Sequence, residues 1–293
     1  MIVILNRFLT AVYRFRLVFI MLLVLAGGVL VYFVASNSFS VAFENFFTAE
    51  LLTYVLVGIG AQLIDGTLGM AYGVSSTTFL MSVGVTPAAA SAAVHVSEVF
   101  TTAASGLSHL RFKNINKKLF RAMVIPGVLG AMLGAYILTN INGEFVKPFV
   151  SVYLLIMGVV IICKALRTVI AKGKVQRVGL LALAGGFLDS IGGGGWGPVV
   201  TSTLLSKGRS PQYTIGTVNA TEFFVTFASA GVFTWFMGLQ NISVIAGLVI
   251  GGVIAAPFGA LLVGKIKPKT LMIAVGVLII FLSLRNLIKF LPL

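Results

Sequence analysis

The sequence predicts an all-α, polytopic membrane protein built from two inverted repeats, with one extra helix at its N-terminus. First, 58% of the 293 residues are hydrophobic and only 10% are charged, whereas a soluble domain carries about 25% charged residues. Second, apolar runs of helical length follow one another along the chain. Third, a constant offset of 124 residues, as from Asp65 to Asp189, aligns two halves of the chain without gaps. Lipid is therefore the expected solvent over much of the surface.

The charge of the chain is strongly positive but is not arranged as a nucleic-acid-binding surface. The net charge is +14, from 21 Lys and Arg against 7 Asp and Glu. The basic residues occupy short gaps between apolar runs, as at the cytoplasmic ends of membrane helices. No basic patch with interleaved aromatic residues occurs, so we predict no nucleic-acid partner.

Sequence motifs for cofactors, metals and catalysis are absent. Cys163 is the single cysteine, so neither an intramolecular disulfide nor a cysteine-based metal centre is expected. The sequence contains no Walker loop, dinucleotide fingerprint or HExxH motif. We predict a protein that is not an enzyme and that uses no cofactor and no metal.

The N-terminal segment has the pattern of a retained membrane helix. Residues 1–16 contain three arginines and are predicted to be cytoplasmic. The apolar stretch 17–35 is longer than the roughly 7–15 residues of a signal-peptide core, so we predict an extra transmembrane helix there. Residues 36–50 contain two glutamates but no Lys or Arg, which places them outside.

The rest of the chain is a series of apolar runs of unequal length. They lie at 51–64, 68–83, 88–110, 120–140, 147–166, 178–190, 195–206, 212–237, 242–264 and 270–291. A spanning helix needs roughly 20 residues, and the runs 51–64, 68–83, 178–190 and 195–206 are shorter. These four form two pairs that are interrupted by glycine. They predict half-helices or re-entrant hairpins that meet at mid-membrane.

The internal repeat is carried by residues that a biased membrane composition does not explain. Aligned identical pairs include Asp65 with Asp189, Gly69 with Gly193, Gly73 with Gly197, Thr77 with Thr201, Pro87 with Pro211 and Glu98 with Glu222. Composition alone would align a few Gly, Ala and Leu, but not Asp, Pro and Glu together. We assign residues 50–166 to the first repeat, 167–177 to a cytoplasmic linker and 178–291 to the second repeat.

Loop charges predict that the two repeats are inverted. The loop at 111–121 holds five Lys and Arg, whereas its counterpart at 235–243 has no charged residue. One loop further on the pattern reverses, because 140–145 has no Lys or Arg and its counterpart contains three lysines. Since cytoplasmic loops collect Lys and Arg, each cytoplasmic loop has a twin outside, and the C-terminus is predicted to be outside. Arg285 and Lys289 lie near the C-terminus, and by the same rule they favour a cytoplasmic location for it.

Four carboxylates lie inside apolar segments at symmetric positions. They are Asp65, Glu98, Asp189 and Glu222. A charge at the bilayer centre costs about 2.5–3.5 kcal/mol on insertion scales, so such residues usually face a cavity and carry function. We predict that these four take part in proton coupling. The alternatives are that the aspartates cap helix N-termini and that the glutamates make purely structural hydrogen bonds.

A polar stripe accompanies each buried glutamate. His95, Glu98, Thr102 and Ser105 share one helical face by their spacing, and the second copy repeats the stripe as Asn219, Glu222, Thr226 and Ser229. His95 could neutralise an anion, relay a proton or hydrogen-bond to Glu98. The Ser and Thr residues could simply join helices.

The glycine-interrupted segments are the predicted substrate site. Glycine lets backbone N–H groups approach a ligand, and a helix that begins there directs its positive dipole end at the ligand. An anion could be held in this way without an intramembrane Lys or Arg. The predicted substrate-binding residues are Gly69, Tyr72, Gly73, Ser75, Ser76, Thr77, His95, Gly193, Gly194, Gly195, Trp196 and Asn219. The alternative is that the glycines only kink helices or let them pack closely.

Four segments of the duplicated pattern are distinctive in their order: 62–66, 70–78, 90–98 and 191–195. By these segments, and over roughly residues 50–290, the chain resembles the sulfite exporter TauE/SafE family of membrane transporters. In the first repeat the run from Gly69 to Gly73 stands where the family has a glycine triplet. The resemblance implies export or uptake of small anions, especially sulfite, sulfonates and related organic acids, across the cytoplasmic membrane.

Together these inferences predict a secondary transporter that moves a small anion by alternating access and is coupled to protons. Inverted repeats are a frequent construction of such proteins. An uncoupled anion channel is the alternative, since some channels share this symmetry. The expected partners are the anionic substrate and the lipid of the cell inner (plasma) membrane, with the N-terminus in the cytoplasm. A homodimer is compatible with the sequence.

Overall fold

A computed structural model of the protein describes residues 49–111, 113–166, 175–207, 209–262 and 268–289. The predicted N-terminal segments 1–16 and 17–35, and most of the predicted linker 167–177, lie outside these residues. Everything below concerns the compact unit Glu50–Leu293. Within the described ranges all regular structure is helical, which confirms the all-α class.

The helices follow the two predicted halves. The first half contains α1 (Ala49–Leu68), α2 (Tyr72–Ser82), α3 (Pro87–Arg111), α4 (Lys117–Asn140) and α5 (Gly143–Leu166). The second half contains α6 (Val178–Gly192), a π-helical segment (Gly197–Thr201) that continues into α7 (Ser202–Ser206), α8 (Pro211–Met237), α9 (Ile242–Leu262) and α10 (Pro268–Ile288). In both halves one helix is followed by a short broken element and then by three long helices.

The described helices are those of a multi-pass membrane protein. Four are long and apolar enough to cross a bilayer: Lys117–Asn140, Gly143–Leu166, Gln212–Met237 and Lys269–Ile288. Two shorter apolar helices are Val178–Gly192 and Ile242–Ala255. Helix α1 has 20 residues, which corresponds to about 30 Å. Helix α1 is longer than the predicted apolar run 51–64. The charged residue Asp65 ends the apolar run, but the helix continues past it to Leu68.

Polar side chains and special residues set the helix ends. The Asn116 side chain caps α4 by accepting hydrogen bonds from the backbone N–H groups of Lys118 and Leu119, at 3.1 and 3.0 Å. The Asn142 side chain accepts from Glu144 N at 2.9 Å and caps α5 in the same way. Helix α8 ends at Gly238, whose φ of 71° favours glycine.

Close helix packing ties the two halves together. Helix α4 of the first half packs on α6 of the second, α3 on α8, and α5 on α10. Glycine makes the closest approaches: a Cβ on Gly130 would lie 2.0 Å from the Leu183 carbonyl oxygen, and one on Gly251 would lie 2.1 Å from that of Val55. Such backbone-to-backbone contact through small residues is typical of membrane helices.

The outer faces of the long helices remain apolar. Large exposed hydrophobic side chains include Ile125 on α4, Ile156 on α5, Phe227 on α8 and Phe281 on α10. A surface of this kind is suited to lipid rather than water. Trp196, a fully buried side chain, belongs to the second break and packs in one apolar cluster with Val218 and Val225 of α8.

Candidate functional site

The site begins with two matching helix breaks. The chain leaves α1 at Gly69 and α6 at Gly193, and both glycines have a φ of 67°. This left-handed conformation favours glycine over residues that carry a Cβ. The two positions differ by the 124-residue offset of the repeat, so equivalent glycines produce equivalent breaks in the two halves.

The two breaks contact each other directly. A Cβ added to Gly73 would lie 2.8 Å from the Cα of Gly194, and a Cβ added to Gly197 would lie 2.9 Å from the Cα of Met70. These contacts are reciprocal, because Gly73 corresponds to Gly197 and Met70 to Gly194 in the repeat. The Thr77 hydroxyl also donates to the Gly193 carbonyl. The glycines are thus required for a close approach of backbones.

The second break is capped by the aspartate that precedes it. Asp189 Oδ1 accepts hydrogen bonds from the backbone N–H groups of Gly195 and Trp196, at 2.7 and 2.9 Å. In the first half the Asp65 carboxylate interacts with the backbone N–H of Tyr72, the counterpart of Trp196. The capping alternative therefore describes what Asp189 does. It also means that these amide groups, which belong to the predicted anion cradle, are already engaged.

All four predicted acids line one small cavity between the halves. Its walls are formed by Asp65, Ala71, Tyr72, Gly73, Val74, Glu98, Asp189, Gly194, Gly195, Gly197, Pro198 and Glu222. The volume that it offers to a water molecule is about 10 Å³, which is close to the minimum for one water molecule. An oxyanion such as sulfite is larger than water, so it cannot enter unless the surrounding helices move.

The two glutamates reach the cavity from facing helices, Glu98 from α3 and Glu222 from α8. Glu98 is 3% exposed, and its Oε2 atom has no hydrogen-bond partner among the described residues. A buried carboxylate oxygen without a donor is costly unless it is protonated or meets a ligand. The purely structural alternative therefore does not account for Glu98.

The remaining stripe residues serve the contact between helices. Asn219 Nδ2 donates to Ser105 Oγ at 2.8 Å, which links α8 to α3. The hydroxyls of Ser190 and Ser229 are 2.6 Å apart, which links α6 to α8. Thr226 donates to the carbonyl of Glu222 one turn earlier. Ser105 and Ser229 thus join helices, as the helix-joining alternative describes, whereas the hydrogen bond of Thr226 lies within α8.

His95 is fully buried next to the cavity, and its hydrogen-bond partners are Ser91 and Asp189 instead of Glu98, the partner considered from sequence. Its Nδ1 atom lies 2.8 Å from the Ser91 carbonyl oxygen, and its Nε2 atom lies 3.2 Å from Asp189 Oδ2. The carboxylate beside the ring is thus Asp189 of the other half rather than Glu98 of the same helix. One ligand atom each from His95, Glu98 and Asp189 lie within 4.8 Å of one another, and among the described residues this group could hold a metal ion.

The predicted substrate residues divide into two sets. Eight of the predicted site residues line the cavity: Asp65, Tyr72, Gly73, Glu98, Asp189, Gly194, Gly195 and Glu222. The other eight, which are Gly69, Ser75, Ser76, Thr77, His95, Gly193, Trp196 and Asn219, are absent from its walls. Trp196 is buried, and its indole N–H donates to the Val218 carbonyl at 3.3 Å. It packs behind the break instead of presenting a polar atom to a ligand.

Two residues that sequence reasoning missed hold the second break in place. The Tyr153 hydroxyl donates to the Gly194 carbonyl at 3.0 Å, and a Cβ on Gly195 would lie 2.1 Å from that hydroxyl oxygen. The Lys164 ammonium donates to the carbonyl of Pro198, which lines the cavity. Both residues lie on α5 outside the aligned motifs, so the repeat gave no signal for them. Gly197 also lines the cavity, and the sequence did give a signal for it, because it aligns with Gly73 in the repeat.

A helical, multi-pass protein with buried acids around a cavity between its halves belongs to the class of membrane transporters. The chain is a member of the sulfite exporter TauE/SafE family, whose model matches residues 54–286. It is 42% identical over 251 residues to the probable membrane transporter protein YtnM of Bacillus subtilis (strain 168), an alignment that covers 82% of this chain and 83% of the relative. No solved structure matches the chain significantly.

Proposed function

We propose that the protein is a secondary transporter that moves a small anion across the cytoplasmic membrane by alternating access, with protons as the coupling ion. The proposed substrates are sulfite, sulfonates and related organosulfur or organic acids. The observation that carries the proposal is the convergence of Asp65, Glu98, Asp189 and Glu222, two from each half, on one cavity.

The charges of the cavity support coupling to protons. None of the described residues that line it is Lys or Arg, while four are acids. Two unit charges about 4 Å apart interact by about 4 kcal/mol at an effective dielectric constant of about 20. An anion would meet repulsion of this order from each nearby ionised carboxylate. Anion binding therefore requires that protons neutralise part of the acid cluster at the same time.

The contacts between the breaks support alternating access. Reciprocal contacts, in which Gly73 meets Gly194 and Met70 meets Gly197, are the pattern of a twofold relation between the halves. Inverted repeats related by such an axis in the membrane plane commonly exchange conformations about a central site. Since the cavity has room for about one water molecule, substrate entry requires the halves to separate on one side at a time.

The proposal is tested with the purified protein in liposomes. Uptake of sulfite and of sulfoacetate is measured with and without an imposed pH gradient, and sulfoacetate is included because its charge does not change near neutral pH. We expect saturable, gradient-driven uptake that Glu98→Gln and Glu222→Gln abolish. Glu144→Gln is the matched control, because Glu144 is 72% exposed at the start of α5.

Two outcomes would contradict the proposal. Normal gradient-driven uptake in both Glu98→Gln and Glu222→Gln would remove the acids from the coupling step. A conductive current that does not respond to the pH gradient would identify the uncoupled anion channel instead. A panel that adds sulfolactate, thiosulfate and simple carboxylates then ranks the substrate classes.

A further inference from the structure

The surroundings of His95 leave one of its ring nitrogens free to bind a cation. The Ser91 carbonyl oxygen lies 2.8 Å from Nδ1 and can only accept a hydrogen bond, so Nδ1 carries a hydrogen. The Ser91 hydroxyl agrees with this assignment, because it donates its own hydrogen to the Ser190 carbonyl at 2.6 Å. In the neutral ring Nε2 then has a lone pair, which faces Asp189 Oδ2 at 3.2 Å.

Three atoms with lone pairs converge at this point. One ligand atom each from His95, Glu98 and Asp189 lie within 4.8 Å of one another. Glu98 is 3% exposed, and its Oε2 atom has no hydrogen-bond partner among the described residues. A hydrogen between the ring and Asp189 would satisfy two of the three residues and leave the Glu98 oxygen unpartnered. A single metal cation satisfies all three.

The hydrogen bonds behind these residues are those that hold metal ligands in place. A histidine that binds a metal normally donates its second ring N–H to a carbonyl or carboxylate, which fixes the ring orientation. The Ser91 carbonyl has this role for His95. Carboxylate ligands are held in the same way, and Asp189 Oδ1 accepts from the amides of Gly195 and Trp196, at 2.7 and 2.9 Å. Asp189 Oδ2 remains available for the ion.

The distances and charges suit a divalent transition metal. Zinc binds nitrogen and oxygen at about 2.0–2.2 Å, so two ligands of a tetrahedral zinc ion lie about 3.4 Å apart. The distance from His95 Nε2 to Asp189 Oδ2 is 3.2 Å. Two carboxylates balance the charge of a divalent ion, which removes the net charge from this buried site. An imidazole ligand favours a transition metal over Mg²⁺ or Ca²⁺, which prefer oxygen.

The second half of the protein cannot form an equivalent site. Asn219 occupies the position of His95 in the repeat, and its side-chain amide donates to Ser105 Oγ at 2.8 Å. An amide N–H₂ group is a hydrogen-bond donor and has no lone pair to offer a metal. The acids Asp65 and Glu222 therefore lack an imidazole at this repeat position. We expect one ion per chain although the acids are symmetric.

We propose that His95, Glu98 and Asp189 bind one divalent transition-metal ion between the two halves, and that the ion also binds an oxygen of the substrate anion. Three protein ligands leave a coordination position for water or substrate, and Glu98 and Asp189 line the cavity. The ion would supply the positive charge that the described lining lacks. Protons would then have to neutralise only Asp65 and Glu222. The role in anion binding rests on the proposed function, whereas the binding of the metal does not.

The expectation of no metal rested on the absence of a contiguous metal-binding motif. His95 and Glu98 lie on α3, but Asp189 lies on α6, 94 residues after His95. Ligands that come from the two halves leave no local spacing signal. The packing of α3 against α6 is what brings them together.

The first experiment counts the metal and identifies its ligand without any substrate. The full-length protein is purified without a histidine tag, stripped with EDTA and given Mn²⁺, whose pulsed electron spin resonance spectrum reports a bound imidazole nitrogen. We expect one Mn²⁺ per chain with this nitrogen signal, and displacement of Mn²⁺ by zinc, which binds such sites more tightly. His95→Asn should remove the nitrogen signal. His109→Gln, which removes the other of the two histidines, should keep it.

The carboxylate ligands are tested by variants of similar shape. Even an outer-shell partner contributes about 10–100-fold to metal affinity, so Glu98→Gln and Asp189→Asn should each weaken Mn²⁺ binding by at least about 100-fold. Asp189→Asn keeps an oxygen for the two amides, and cooperative unfolding in EDTA checks that each variant is folded. Wild-type protein that takes up no stoichiometric Mn²⁺ or zinc would overturn the proposal. So would a bound ion without the nitrogen signal, or equal affinities in Glu98→Gln and His109→Gln.

The second experiment tests the contact between the ion and the substrate. Sulfoacetate should change the Mn²⁺ spectrum of the wild-type protein, because its oxygen replaces a ligand of the ion. In liposomes its uptake should be lost after stripping with EDTA and return with zinc. An unchanged spectrum together with unchanged uptake would refute the role of the ion in anion binding. If the wild-type protein moved neither sulfite nor sulfoacetate, the proposed function would fail for those probes, and the Mn²⁺ count would still decide the metal site.

Discussion

Substitution of Gly73 by alanine tests whether the two helix breaks touch as described. The new Cβ would lie 2.8 Å from the Cα of Gly194, 3.0 Å from Glu98 Oε1 and 3.1 Å from the Gly193 carbonyl oxygen. Two of these three atoms are backbone, so they cannot turn away as a flexible side chain would. Overpacking of this kind typically costs about 1–3 kcal/mol.

Gly231→Ala is the matched control for this substitution. Gly231 also lies in a helix, neither glycine has a positive φ, and a Cβ on Gly231 would meet nothing within 4 Å. Alanine there should gain up to about 1 kcal/mol of helix propensity. Because both variants gain this propensity, they should differ by the overpacking cost of about 1–3 kcal/mol, which corresponds to about 2–12 °C in the midpoint of thermal unfolding.

Tryptophan fluorescence provides the assay. The chain has two tryptophans: Trp235 is 86% exposed, and Trp196 is fully buried behind the second break. In a Trp235→Phe background, the emission of Trp196 reports unfolding at the site itself. Equal midpoints for Gly73→Ala and Gly231→Ala would show that the breaks do not approach as closely as the structure has them, and the argument for a shared site would fail.

Further predictions concern the residues that shape the breaks. Ala71 has a φ of 86°, which costs a residue with a Cβ about 1–2 kcal/mol, and the second half has Gly195 at this position. Ala71→Gly should therefore raise the unfolding midpoint in the same assay, and a lower midpoint would contradict the described turn. Tyr153→Phe removes the hydroxyl that binds the Gly194 carbonyl and should cost about 0.5–1.5 kcal/mol, whereas an unchanged midpoint would show that this hydrogen bond contributes nothing. Asp189→Ala leaves the Gly195 and Trp196 amides without their cap and should cost about 1–2 kcal/mol more than Asp189→Asn; equal losses would show that the cap is not needed.

The residues of the cavity could be predicted from the sequence where a charged residue type stands among apolar neighbours. A carboxylate in a membrane segment carries a large cost, so Asp65 and Glu98 stand out in one sequence. The repeat then pairs them with Asp189 and Glu222. All four line the same cavity in the structure. Their assignment to proton coupling stays a prediction, because the positions of the four side chains do not show whether a proton moves with the substrate.

Contacts between distant helices could not be read from the sequence. The spacing of three residues between His95 and Glu98 suggested that they are partners, but the ring meets Asp189, 94 residues further along the chain. Which neighbour a side chain meets depends on how α3 is rotated against α6, and helical periodicity does not fix that rotation. The same holds for Tyr153, whose hydroxyl reaches the second break only because α5 packs beside it.

Two backbone amides of the predicted anion cradle have a partner within the chain. A glycine-rich run followed by a helix does present backbone N–H groups, and this predicted a direct anion site at Gly195 and Trp196. In the structure the preceding aspartate occupies those amides. Of the two roles considered for Asp189, coupling and capping, the cap is the one whose contacts the structure describes.

The most direct test of the account is the ratio of protons to anions moved per transport cycle. Liposomes that contain the purified protein are given a fixed pH gradient, and the sulfoacetate gradient is varied until net flux stops. We expect flux to stop only when the anion gradient opposes the pH gradient with at least one proton per anion, and we expect Glu98→Gln or Glu222→Gln to remove the flux. Flux that stops at equal sulfoacetate concentrations whatever the pH gradient would contradict it.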